Sequence, residues 1–169
     1  MTSQSSYVPS FLLAIAMSLT AAVGAQEAMS ASVIDDRIDQ FNLFTQCSRM
    51  DTVIEIQRSN STSTQSVPTQ DEVRRAVTSR LRSARLFDDV ATSPILYVGI
   101  SIVGAAYNVT VQFYKSLMDS YSGLTLLASS WDIRYTGTHG NHSSYIISDL
   151  GQALDLFIDE YLRVNEKDC

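Results

Sequence analysis

Both histidines of this chain fall within one seven-residue stretch, Thr136-Gly137-Thr138-His139-Gly140-Asn141-His142. Two imidazoles spaced H-x-x-H can supply two ligands to zinc or copper, with Asp132 or Asp149 as an oxygen donor. Two nitrogens are too few for a closed structural site, and nothing nearby resembles a helical H-E-x-x-H pair. The same residues read as backbone punctuation: Gly137 and Gly140 permit positive φ, while Asn141, Ser143 or Ser144 can cap a following helix. No metal and no cofactor is expected, and His139 and His142 stand as weak candidates only.

The densest charge feature lies earlier. Arg74, Arg75, Arg80, Arg82 and Arg85 are five of twelve basic residues, all within twelve positions. At 100° per residue, Arg74, Arg75, Arg82 and Arg85 share a helical sector opposite the apolar stripe, making a face suited to an anionic partner or to plain solvation. Arg80 projects into the stripe itself, where it must be paired or must snorkel, so its role is structural. Other routes to catalysis lack a signature. There is no G-x-S-x-G elbow, no phosphate loop and no G-x-G-x-x-G, and Asp155 and Asp159 at i and i+4 read as the wet face of a helix rather than an acid/base pair. No catalytic residue is assigned. The sequons at Asn60, Asn108 and Asn141 are close to chance in so Ser/Thr-rich a chain.

The two cysteines, Cys47 and Cys169, make an even count. In an oxidising compartment they are expected to pair, tying the C-terminal tail to the body and closing a loop over residues 47–169. In the chain-entropy model such a loop constrains the unfolded state by roughly 4–5 kcal/mol.

These residues need elements to position them. Residues 51–57 alternate, with Met50, Thr52, Ile54 and Ile56 on one face, and predict a strand. A capping box at Thr69-Gln70-Asp71-Glu72 opens a helix whose stripe is Val73, Ala76, Val77, Leu81 and Ala84. Three strands follow at 95–103, 107–115 and 124–135, joined closely enough to imply an antiparallel meander. Leu96, Val98, Ile100 and Ile102 form an all-aliphatic face. The final helix carries Ile147, Leu150, Leu154, Phe157, Tyr161 and Val164 at alternating spacings of three and four. The expected fold is α+β in the order β-α-β-β-β-α, a four-stranded, mainly antiparallel sheet with two helices on one face.

The first 25 residues contain no acidic or basic side chain. Phe11 to Ala22 is an apolar run too short to span a bilayer comfortably, and Val23-Gly24-Ala25 offers small residues to a signal peptidase. Residues 1–25 therefore read as a signal peptide, with an uncleaved anchor as the alternative, and residues 26–169 as one domain. No second apolar run of spanning length follows. The net charge of −6 falls wholly on residues 26–169 and argues against nucleic acid as a partner.

Four pieces, RLRSARLF (residues 80–87), LYVGISIVG (96–104), TGTHG (136–140) and YLRVNEKDC (161–169), resemble small exported proteins of Gram-negative bacteria that carry no assigned function. The resemblance spans about half the chain. It implies a periplasmic or secreted setting and the Cys47–Cys169 pairing, and it supplies no activity. The expectation is an exported accessory or binding domain acting by contact, on an anionic envelope surface or another envelope protein. The alternative is a small exported hydrolase or metal-binding protein centred on residues 138–142.

Overall fold

The computed structural model describes residues 36–59, 67–90 and 92–169. The expected signal peptide, most of the Ser/Thr-rich stretch after residue 59 and the Asn60 sequon lie outside the described residues. The chain divides into two compact units, Met1–Asp39 and Gln40–Cys169, and the sheet belongs to the second. Helical residues 36–43 (α1) span the boundary. They are followed by β1 (Asp51–Arg58), α2 (Gln70–Ser83), β2 (Ile95–Val103), β3 (Ala106–Met118), β4 (Thr125–Thr138) and α3 (Ser143–Val164).

The fold is α+β, with a four-stranded sheet in the order β1-β2-β3-β4. The meander β2-β3-β4 is antiparallel as expected, but β1 pairs with β2 in parallel, so the sheet is mixed. The intervening helix is the reason. A parallel neighbour needs a crossover, and α2 supplies it. The helical residues 36–43 were not anticipated either.

Local chemistry sets the boundaries of α2. The Thr69 hydroxyl accepts from the Glu72 amide at 3.2 Å, and the Glu72 carboxylate accepts from the Thr69 amide at 2.7 Å. At the other end Leu86 N–H donates to Leu81 C=O, and Arg85 adopts φ 61°. This is a Schellman ending with arginine where glycine is usual. Arg85 therefore lies beyond the helix rather than on its outer sector.

Alternation along the strands divides the sheet into two faces. Leu96, Val98, Ile100 and Ile102 of β2 and Tyr107, Val109, Val111 and Phe113 of β3 are buried with Val73, Val77 and Leu81 of α2. Ile146, Leu150, Leu154, Phe157 and Tyr161 of α3 complete the same core. Phe157 sits at its centre, with ring centroids 5.5 Å from Phe113, 5.3 Å from Trp131 and 5.7 Å from Tyr161. The other face of the sheet carries no helix among the described residues and is polar.

Arg80 locks the two helices together. Its Nε donates to the Asp155 carboxylate at 3.0 Å, and a Cβ on Gly151 would come within 2.5 Å of its Nη2. The glycine is a notch through which the guanidinium crosses α3. Asp155 keeps its place on the wet side, with a half-exposed partner that the one-dimensional pattern did not reveal.

Cys47 and Cys169 are joined, with Cα atoms 5.1 Å apart. Beside them Asn165 is fully buried. Its Oδ1 accepts from the amides of Thr45 (2.9 Å) and Cys47 (3.1 Å), and its Nδ2 donates to the carbonyls of Leu43 (3.0 Å) and Tyr161 (2.9 Å). Its own carbonyl accepts from the amides of Asp168 and Cys169. One side chain thus fastens the segment before β1 to the end of α3 and sets up the turn that brings Cys169 to Cys47.

Candidate functional site

The histidine loop connects β4 to α3, and its geometry assigns each residue a structural task. His139 is buried, with 2 % of its surface exposed. The Asn141 amide donates to its Nδ1 at 3.1 Å, so the ring proton sits on Nε2, which donates to the Gly104 carbonyl at 2.9 Å. Both ring nitrogens are committed to the β2–β3 turn and the loop itself. The proposed oxygen ligands are committed as well. Asp149 accepts from the Tyr107 hydroxyl at 2.6 Å, and Asp132 pairs with Arg134 at 3.3 Å. Burial first, and then the Asp149 bond, push the Tyr107 hydroxyl up to about 12. Among the described residues no cluster of three or more His, Cys, Asp or Glu could hold a metal ion.

Gly137 is not in the left-handed region; a Cβ there would meet the Tyr107 hydroxyl at 2.7 Å, so it makes room for that ring to reach Asp149. The N-cap of α3 is His142, whose side chain makes no capping bond, rather than Asn141, Ser143 or Ser144. Gly140 does adopt positive φ, at 52°, as does Asn141 at 65°. His142 is exposed and packs edge-on against Tyr145, with ring centroids 6.1 Å apart. Among the described residues the ring hydrogen bonds of His139 go to backbone groups, not to a hydroxyl or carboxylate. Asp155 is paired with Arg80, and Asp159 is exposed on the outer side of α3.

The arginines of α2 present a different picture. Arg74, Arg75, Arg82 and Arg85 are all exposed. Unlike Arg80, paired with Asp155, and Arg134, paired with Asp132, none of these four forms an ion pair with another described residue. Arg75 and Arg82 flank a shallow groove with Thr78, Ser79 and Ser83 along its floor. Arg82 is steadied by the Phe87 ring, 4.8 Å below its guanidinium carbon. The Thr78 and Ser83 hydroxyls donate to the Arg74 and Ser79 carbonyls, so the fork-shaped donors for phosphate, sulfate or carboxylate oxygens are the guanidinium groups.

The polar face of the sheet holds a second concavity that sequence reasoning missed. A trough of about 460 Å³ crosses all four strands. Strand register makes its floor a straight row, because Glu55 pairs with Gly99, Gly99 with Thr110 and Thr110 with Arg134. Tyr97 leans along β2 over Gly99, where a Cβ would meet its ring at 2.9 Å, and its hydroxyl donates to Glu55 at 2.7 Å. Gln57 donates to the other Glu55 oxygen at 2.7 Å. These bonds, from Gln57 and then Tyr97, hold the Glu55 carboxyl below the usual range; the Glu55 bond and burial raise Tyr97 to about 12. One signal was present in the sequence. A glycine in the middle of the aliphatic strand LYVGISIV marks a place where something lies close over the backbone.

No protein-family model matches the chain, and no curated protein matches it.

Proposed function

We propose that this chain is an exported accessory domain of a Gram-negative envelope, periplasmic or secreted, which acts by contact through the outer face of α2. The carrying observation is exposed Arg74, Arg75 and Arg82 on that face, with exposed Arg85 just past its end, on a chain of net charge −6, none of the four ion-paired with another described residue. Arg75 is offset by Asp71 and Glu72 in the first turn, and beyond that turn the outward charge of the helix is positive, which suits an anionic surface. The export reading draws on the apolar run at residues 11–22 and is supported by the Cys47–Cys169 bridge, since disulfides persist in oxidising compartments. Among the described residues no helix is long and apolar enough to cross a membrane. The hydrolase or metal alternative has no comparable support, because His139 and both candidate carboxylates already have partners.

Flotation with vesicles rich in phosphatidylglycerol, and pull-down on an acidic polysaccharide, test the proposal. Binding should weaken as salt rises, because exposed charges are screened over about 10 Å at 0.1 M. Replacing Arg74, Arg75, Arg82 and Arg85 by Gln should abolish it while leaving the unfolding transition in place. Salt-independent binding, or full binding by the quadruple variant, would overturn the proposal.

A further inference from the structure

We infer that the trough on the open face of the sheet is a second binding site, and that its ligand is an uncharged, hydroxyl-rich chain, a neutral oligosaccharide. The site is independent of the α2 arginines, which belong to an element packed on the opposite face.

Three observations select this chemistry. The first is the lining. Between Glu55 at one end and Arg134 at the other, the trough presents hydroxyl and amide side chains, among them Ser101, Asn108, Thr110 and Gln112. Such groups donate and accept at once, as a sugar hydroxyl does. The second is the state of the two charges. Glu55, which accepts from Tyr97 and Gln57, and Arg134, which pairs through Nε with Asp132, are opposite in sign, so the lining offers no single-sign field to draw an ionic ligand. The third is Tyr97. Its ring is laid down over the strand by the missing Cβ at Gly99 and pinned by its bond to Glu55. A fixed aromatic ring beside hydrogen-bonding groups gives an apolar platform for the C–H face of a pyranose while the polar groups take its rim.

The dimensions favour a chain over a monosaccharide. Four strands about 4.8 Å apart put the backbones at Glu55 and Arg134 roughly 14 Å from each other. Between them lie Thr110 and the Tyr97 ring over Gly99, so the aromatic platform itself forms the middle of the floor.

The probes are maltohexaose, cellohexaose and chitohexaose, titrated at millimolar concentration into the isotopically labelled full chain and followed by amide chemical shifts. At least one should move the Tyr97, Gly99 and Thr110 resonances saturably and leave those of Arg75 and Arg82 unmoved. Gly99→Ala is the sharper variant. Its new methyl must push the Tyr97 ring aside, which a flexible side chain tolerates, so the fold survives while the platform is lost. It and Tyr97→Ala should each weaken binding roughly tenfold, about 1.4 kcal/mol. Tyr97→Phe keeps the ring, loses the pin to Glu55 and should fall between. The inference is overturned if none of the three sugars perturbs the trough, if binding survives both Gly99→Ala and Tyr97→Ala, or if a neutral Gly/Ser-rich peptide moves these resonances and the sugars do not. Retention of sugar binding by the quadruple arginine variant separates this site from the anionic surface.

Discussion

Replacing Asn165 by Ala should destabilise the protein by about 3 kcal/mol, and the figure can be built group by group. The side chain is fully buried and makes four hydrogen bonds, two as acceptor and two as donor. The Tyr161 carbonyl keeps a partner in the variant, since the Asn165 backbone amide also donates to it at 3.1 Å. Three groups lose theirs: the amides of Thr45 and Cys47 and the carbonyl of Leu43. A buried backbone group left unpaired costs about 1–3 kcal/mol. Thr45 and Cys47 are only half-buried and can recruit water into the vacated space, which places the sum at the low end of that range for each group. The disulfide does not compensate, because it restrains the unfolded chain and leaves these three groups where they are. Urea unfolding followed by the single tryptophan reports the change, since Trp131 packs on Phe157 and donates to Glu160 at 2.8 Å in the folded state. Glu166→Ala, at the exposed neighbouring position, serves as control and should shift stability by less than about 0.5 kcal/mol. A loss below about 1 kcal/mol for Asn165→Ala would refute the reasoning and show that these groups are already served by water.

Phe157→Ala, at the centre of the aromatic cluster, should cost about 3–5 kcal/mol through lost transfer energy and an unfilled cavity, a large share of the roughly 5–15 kcal/mol such a domain possesses. Asp155→Asn, which weakens a half-exposed ion pair with Arg80, should cost less than about 1 kcal/mol; equal denaturation midpoints for the two variants would remove α3 from the core. Alkaline titration at 295 nm should show a late fraction of tyrosinate, because Tyr97 and Tyr107 are both held up to about 12. A raised folded-state value means the native state holds its proton more tightly, so the stability these groups contribute is complete below pH 10 and is lost as pH climbs from about 10 to 12. Asp149→Asn should bring Tyr107 down; an unchanged late fraction in that variant would contradict the Tyr107–Asp149 bond.

Local and periodic information was legible in the sequence by itself. The capping box at Thr69 and Glu72, the alternation of Leu96, Val98, Ile100 and Ile102, and the stripe through Leu150, Leu154, Phe157 and Tyr161 each depend on residues within a few positions of one another. Such short-range rules act before any tertiary contact forms. The even cysteine count likewise pointed to the Cys47–Cys169 bridge that the structure contains. Tertiary structure decided whatever depends on pairs far apart in the chain. Periodicity puts Arg80 in the apolar stripe but cannot name Asp155, 75 residues away, as its partner. Asn165 stands in an unremarkable polar tail, and only folding surrounds it with Leu43, Thr45 and Cys47. Gly137 looks like a turn residue until Tyr107 is seen to need its space. The trough was hidden for the same reason. Alternation shows that Glu55, Gly99, Thr110 and Arg134 face outward, each on its own strand. Whether they form one row depends on strand order and register, including the parallel placement of β1, and these are fixed by how the helices and sheet bury their faces together rather than by any one segment.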